Sequence, residues 1–75
     1  MNEKTRIEKD IVMFKENITK LEKNNQKLSH PQEKTIELSK QYYNDSKYYL
    51  KIKDYFTSFG CINYAHGLLD SIIKF

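Results

Sequence analysis

Between Ile7 and Leu28 the apolar residues return in alternating steps of four and three: Ile7, Ile11, Phe14, Ile18, Leu21 and Leu28, with Asn25 filling the one gap in the register. That spacing places all of these side chains on one face of an α-helix. It predicts a long helix over about residues 3–28, about 39 Å in length at 1.5 Å per residue. A helix with one apolar face must be covered by something, and further helices are the simplest cover here because the chain holds one valine and no period-two alternation. Val12 and Met13 are expected to widen the apolar face beyond a narrow coiled-coil seam, which suits a bundle. Thr5 followed by Glu8 is a candidate cap, and Asn2 offers an earlier start. Lys4 and Glu8, Arg6 and Asp10, and Glu16 and Lys20 stand four apart, a spacing worth a few tenths of a kcal/mol per pair (~0.3) on a helix surface.

The pattern breaks at Leu28-Ser29-His30-Pro31-Gln32. Proline disfavours helix before it and is tolerated in a first turn, while Ser29 and Gln32 have the spacing of a capping box, with His30 as the other candidate cap. A second helix is predicted over about residues 32–52, with Ile36, Ser39, Tyr43, Ser46 and Leu50 facing inward and Leu38, Tyr42 and Tyr49 beside them. Asp54 is a good N-cap for a third helix over about residues 55–74. Its apolar face is Phe59, Ile62, Ala65, Leu69, Ile72 and Ile73, edged by Cys61 and Leu68. Short connections make neighbouring helices antiparallel, so the expected architecture is a single all-α domain over residues 1–75, an up-down-up three-helix bundle with a long N-terminal helix.

Composition excludes several classes. The chain has 75 residues, 39% hydrophobic and 31% charged, with a net charge of +3, which is ordinary globular composition. No run of eighteen apolar residues is present and no apolar core follows the N-terminus, so a membrane span and a signal peptide are not expected. The single cysteine, Cys61, cannot close an internal disulfide and points to a cytoplasmic setting. Its expected role is that of a small residue at the core edge. Basic residues exceed acidic ones by seven to five in residues 1–30 and five to three in residues 31–53, whereas residues 54–75 carry one against two. The charges interleave without a basic block, so nucleic acid is at most a weak partner, through the basic side of the first two helices with exposed tyrosines. Tyr48 falls off the inner face with Gln41 and Asn44 and is expected to be wet or in a contact.

Asn63, His66 and Asp70 follow steps of three and four along the third helix. A carboxylate beside a histidine orients the ring and favours its charged form. The set falls short of an enzyme: no serine or cysteine nucleophile accompanies it, and one His with one Asp does not make a metal site. The plainer expectation is a half-buried His66 satisfied by Asp70 or by a tyrosine hydroxyl of the second helix. Gly60 and Gly67 lie within a helical period and make no phosphate loop. Neither a cofactor nor a metal is expected.

The string Tyr42-Tyr43-Asn44-Asp45-Ser46, then Tyr49-Leu50, then Asp54-Tyr55-Phe56-Thr57-Ser58-Phe59-Gly60, then Tyr64-Ala65-His66-Gly67-Leu68-Leu69-Asp70 resembles the archaeal family called domain of unknown function 357. The resemblance covers roughly residues 36–73. It implies a small all-helical protein and assigns no activity. Ser46 and Ser58 stand where the family often has alanine, and Lys53 where it often has glycine. A weaker similarity is to one tetratricopeptide hairpin, with Tyr42, Ser46, Tyr49, Asp54-Tyr55, Ser58, Ile62 and Ala65 at its large, small and turn positions. It occurs once, short of the three repeats a solenoid needs, and serves as packing logic: Ser46 and Ser58 let the second and third helices approach closely. The chain also lacks the arginine–histidine spacing of small helical ribonuclease domains, since Arg6 is its one arginine.

A chain this short supplies a core worth only about 3–5 kcal/mol net, which makes self-association an expectation. The expected function is a noncatalytic interaction module, a homodimer or a binder of another protein. Gly60, Tyr64, Gly67 and Ser71 follow steps of four, three and four on the side away from Ile62, Ala65 and Leu69. Two glycines inside a helix together cost about 2 kcal/mol relative to alanine, which close approach of another backbone would explain. The expected binding surface is Gly60, Asn63, Tyr64, His66, Gly67 and Asp70. The alternative is that the first helix of the same chain lies on the glycines.

Overall fold

The computed structural model describes residues 2–24 and 27–73, and shows three helices packed as an all-α bundle: α1 Glu3–Lys23, α2 His30–Lys51 and α3 Tyr55–Asp70. Each start follows from a cap. Asn2, rather than Thr5, caps α1, its Oδ1 accepting from the Thr5 amide at 2.8 Å. Ser29 and Gln32 form the full capping box of α2: the Gln32 amide donates to Ser29 Oγ at 3.3 Å and the Ser29 amide to Gln32 Oε1 at 2.9 Å. The helix therefore begins at His30, ahead of the expected position 32, with Pro31 in the first turn. The Asp54 carboxylate accepts from the Thr57 amide at 3.2 Å and starts α3.

Two ends fall short of the periodicity. α1 stops at Lys23 instead of residue 28, with Asn24, a poor helix former, as its C-cap. Leu28 keeps the helical register by coincidence, reaching the core from the connection as a half-buried residue. The expected register position Asn25 lies outside the described residues. α3 ends at Asp70 instead of residue 74, as Ser71 Oγ donates to the Leu68 carbonyl at 2.7 Å and the chain turns. Ile72 still reaches the core beyond that turn.

The α2–α3 connection is a Schellman motif. The Lys53 amide donates to the Leu50 carbonyl at 3.1 Å and the Asp54 amide to the Tyr49 carbonyl at 2.9 Å, which closes the last turn of α2. The motif requires a left-handed residue, and Lys53 supplies it at φ 66. A lysine there carries a steric cost that glycine escapes.

α2 and α3 are the closely packed pair, and α1 lies mainly on α3. At the α2–α3 crossing Ser46 and Ser58 are fully buried and bond reciprocally. Ser46 Oγ donates to the Ser58 carbonyl at 2.8 Å, Ser58 Oγ donates to the Ser46 carbonyl at 2.7 Å, and the two hydroxyl oxygens are 3.1 Å apart. Each hydroxyl reaches a main-chain atom of the other helix, so the backbones are as near as two small side chains allow. Above this crossing Ile62, Ala65 and Leu69 of α3 meet Ile7, Phe14 and Leu21 of α1 and Ile36 of α2 in one core. Phe14 joins all three helices: Tyr43 of α2 stacks on it at 4.9 Å, and His66 of α3 meets it edge-on at 5.6 Å.

The buried face of α1 is the narrow stripe alone. Val12 and Met13, expected to widen it, are 55% and 45% exposed; Val12 lies on the flank toward α2, which α1, seated on α3, leaves uncovered. The charge pairs spaced along α1 do not close either. Arg6 lies over the Phe59 ring, 5.3 Å from its centroid, and the one ion pair among the described residues is Lys40–Glu22 at 3.6 Å.

Two stability measurements follow from this packing. Ser46→Leu forces a large side chain into the crossing and is expected to cost about 1–3 kcal/mol, whereas Ser46→Ala loses only hydrogen bonding, about 1 kcal/mol. Equal effects of the two substitutions in urea titrations would show that the helices are not in close contact there. Lys53→Gly is expected to raise stability by about 1 kcal/mol through relief of the left-handed backbone, read as a higher melting midpoint.

Candidate functional site

The placement of the candidate surface follows from how α3 is held. Ser58, Ile62, Ala65 and Leu69 are buried in one row, which turns the opposite side of the helix outward. Gly60, Asn63, Tyr64, Gly67 and Asp70 are all exposed there. A Cβ added to Gly60 or to Gly67 meets nothing within 4 Å. Neither glycine is required by a contact inside the chain, and α1 does not lie on them.

Tyr64 is the side chain between the two bare patches. It is 50% exposed, and its ring meets Tyr42 of α2 edge-on with centroids 4.6 Å apart. An aromatic pair in this geometry is worth about 0.5–1.5 kcal/mol, so the ring is held on the surface in a set position. Tyr48 is 57% exposed, as its register requires, and lies edge-on against Tyr49 at 5.2 Å.

Phe56 extends the surface, and sequence reasoning did not single it out. It is 91% exposed, the barest large apolar side chain described, one turn before Gly60 in the same row. The available signal was that four-residue step to Gly60, obscured by Tyr55 and Phe59 on either side, which turn inward against the core.

His66 separates from the other five. Its Nε2 lies 2.8 Å from the main-chain carbonyl oxygen of Asp10 in α1. The carbonyl only accepts, so Nε2 carries the proton and donates it. Neither of the expected partners, Asp70 or a tyrosine hydroxyl of α2, bonds to the ring among the described residues. His66 is a half-buried tie between α3 and α1, and Asn63 and Asp70 stand apart from it in solvent. Cys61 is half-buried, and burial, followed by the carboxylates of Asp45 and Asp54, pushes its thiol above the usual range. At neutral pH it therefore stays protonated and weakly nucleophilic. Among the described residues no three His, Cys, Asp or Glu side chains gather as a metal ion would need. What the outer side of α3 offers is apolar and main-chain contact. From Tyr55 to Leu69 the helix carries no Asp, Glu, Lys or Arg.

Fold and surface together define a small all-α bundle protein with one uncharged, glycine-bearing helix face. Residues 9–75 match the model of the family described as "Protein of unknown function (DUF357)", and the chain belongs to that family. The match takes in most of α1 as well as the α2–α3 hairpin that carries the resemblance in sequence. A search of curated proteins returns no match. No helix among the described residues is long and apolar enough to cross a membrane.

The role given to His66 is open to measurement. His66→Ala removes a hydrogen bond and an aromatic contact and is expected to destabilise the fold by about 2 kcal/mol. His66→Gln keeps an amide donor within reach of the carbonyl and should recover part of that loss. An alanine variant as stable as wild type would detach His66 from α1.

Proposed function

We propose that the protein is a noncatalytic interaction module that pairs with a second copy of itself through the outer face of α3. One observation carries this reading: both glycines of α3 have open space where a side chain would be, on a stretch without charged residues from Tyr55 to Leu69. An exposed helix gains nothing from glycine, which costs about 1 kcal/mol per position relative to alanine. A second backbone laid against Gly60 and Gly67 accounts for both.

A two-fold contact puts the same patch on both sides and must be self-complementary. The stretch from Tyr55 to Leu69 meets that condition, since it carries no charged residue to oppose its like across the axis. Tyr64, braced by Tyr42, is the anchor that packs between the partner's glycines, and Phe56 is the apolar side chain removed from water at the edge. Asn63 and Asp70 supply a polar rim, and His66 acts indirectly by fixing α3 against α1. The free thiol accords with a cytoplasmic setting.

Sedimentation across a concentration series tests the reading. Wild type is expected to dimerise. Gly67→Leu, at a position where an added Cβ meets nothing within 4 Å, should be monomeric yet melt at or slightly above the midpoint of the wild-type monomer. A wild type that stays monomeric at every concentration, or a Gly67→Leu variant that still dimerises, would remove the self-contact.

A further inference from the structure

A second face of the molecule differs in every respect from α3. Because α1 is seated on α3, the seam between α1 and α2 is an open groove running from Lys4 to Glu22, about 27 Å at 1.5 Å per residue. Its wide end has a volume of about 500 Å³ and a floor of Ile11, Val12, Leu50 and Tyr55. Four lysines, Lys4, Lys47, Lys51 and Lys53, stand around that floor against one carboxylate, Glu8. Farther along, Lys15 and Lys20 flank Glu16, and Tyr43 continues the floor. The narrow end is drawn together by the Lys40–Glu22 ion pair at 3.6 Å. The Lys47 ammonium lies 5.2 Å from the Tyr43 ring centroid, so one rim charge already leans over the floor.

We propose that this groove binds an acidic amphipathic helix of another protein, laid along α1 as a fourth helix. A helix in a groove presents anchors at i, i+3, i+4 and i+7 to an apolar floor, and its flanking residues meet the rim. The floor accepts any apolar face; the rim makes the choice, because four lysines against one glutamate attract carboxylates and repel a basic helix.

Charge disfavours the other occupants. In a second copy of this chain, α1 and α2 are themselves richer in basic than acidic residues, and a two-fold contact here would bring two lysine-rich rims together. The face of α3 has no carboxylate before Asp70 to offer. For nucleic acid the floor is a poor fit: Ile11, Val12 and Leu50 are aliphatic, the Tyr43 ring is stacked on Phe14 and covered by Lys47, Tyr55 is half-buried against the core, and Arg6 is engaged on Phe59.

The test uses three labelled probes in fluorescence anisotropy. The first is a peptide of about 18 residues, the length of the groove at 1.5 Å per residue, with leucine at one-face spacing and glutamate on the flanks. The second replaces each glutamate by lysine, and the third is a single-stranded oligonucleotide of similar length. The acidic peptide is expected to bind at physiological salt and the other two at least about tenfold more weakly. Lys4→Glu/Lys51→Glu, both at exposed positions, should invert the preference between the peptides. Val12→Glu, at a site already more than half exposed, should weaken peptide binding while circular dichroism and melting stay close to wild type. Equal binding of both peptides, no binding, tighter binding of the oligonucleotide, or an unchanged preference in the double variant would each overturn the proposal. So would dissociation of a wild-type dimer by Val12→Glu, which would give the groove to a second copy. Gly67→Leu should leave peptide binding unchanged, which keeps this result separate from that of the α3 self-contact.

Discussion

The rest of the structure is arranged around the crossing of Ser46 and Ser58. Two helices normally stand apart by the thickness of the side chains between them. Here each contact residue is a serine whose hydroxyl bonds to the main chain of the opposite helix, at 2.8 and 2.7 Å. Burying a hydroxyl without a partner is unfavourable, and these two satisfy one another with no buried side-chain polar atom left over among the described residues. The pair therefore combines the smallness of alanine with directional bonds that set the register of α2 on α3. With those helices drawn together below, the room for apolar side chains lies to one side, and α1 fills it.

The position of α1 then decides what the surface is. α1 is fixed to α3 by the buried stripe from Ile7 to Leu21 and by the donation from His66 to the Asp10 carbonyl at 2.8 Å. Phe14, between Tyr43 and His66, is where all three helices meet. A helix seated this far toward α3 leaves α2 partly uncovered, and the lysines of both helices border the gap. The back of α3 meets a neighbour only where Tyr64 touches Tyr42, and it carries no charged residue before Asp70. The molecule thus has two faces of different chemistry from one packing decision: a basic groove with an aliphatic floor, and a flat uncharged helix surface carrying Phe56 and Tyr64.

Much of the fold was legible because helical periodicity and caps are local. The stripe of α1, the capping box at Ser29 and Gln32, the cap at Asp54 and the inward Ser46 could each be read from spacing, and the pairing of Ser46 with Ser58 from the similarity to a tetratricopeptide hairpin. The ends of α1 and α3 were not, because Leu28 and Ile72 keep a helical register while reaching the core from non-helical backbone. The candidate surface was legible for Gly60, Asn63, Tyr64, Gly67 and Asp70, which are outward by the same register that turns Ile62 and Leu69 inward. The half-burial of His66 was anticipated, but its partner was not, because that partner is a backbone carbonyl, an atom every residue possesses and no sequence pattern marks. Phe56 was overlooked because exposure of an aromatic residue depends on which neighbours arrive, and none does.

By itself the sequence determined the number and type of elements, their capped starts, the inner rows of α2 and α3, and membership in the family. These depend on interactions within a few residues, where spacing translates directly into geometry. Only the tertiary structure decided where α1 sits. That placement rests on the contacts of Phe14 with Tyr43 and His66 and on a hydrogen bond between residues 56 positions apart. It is a balance of packing between distant segments, and it also decides which lysines share a groove, whether Val12 and Met13 are covered, and that the glycines of α3 face open space.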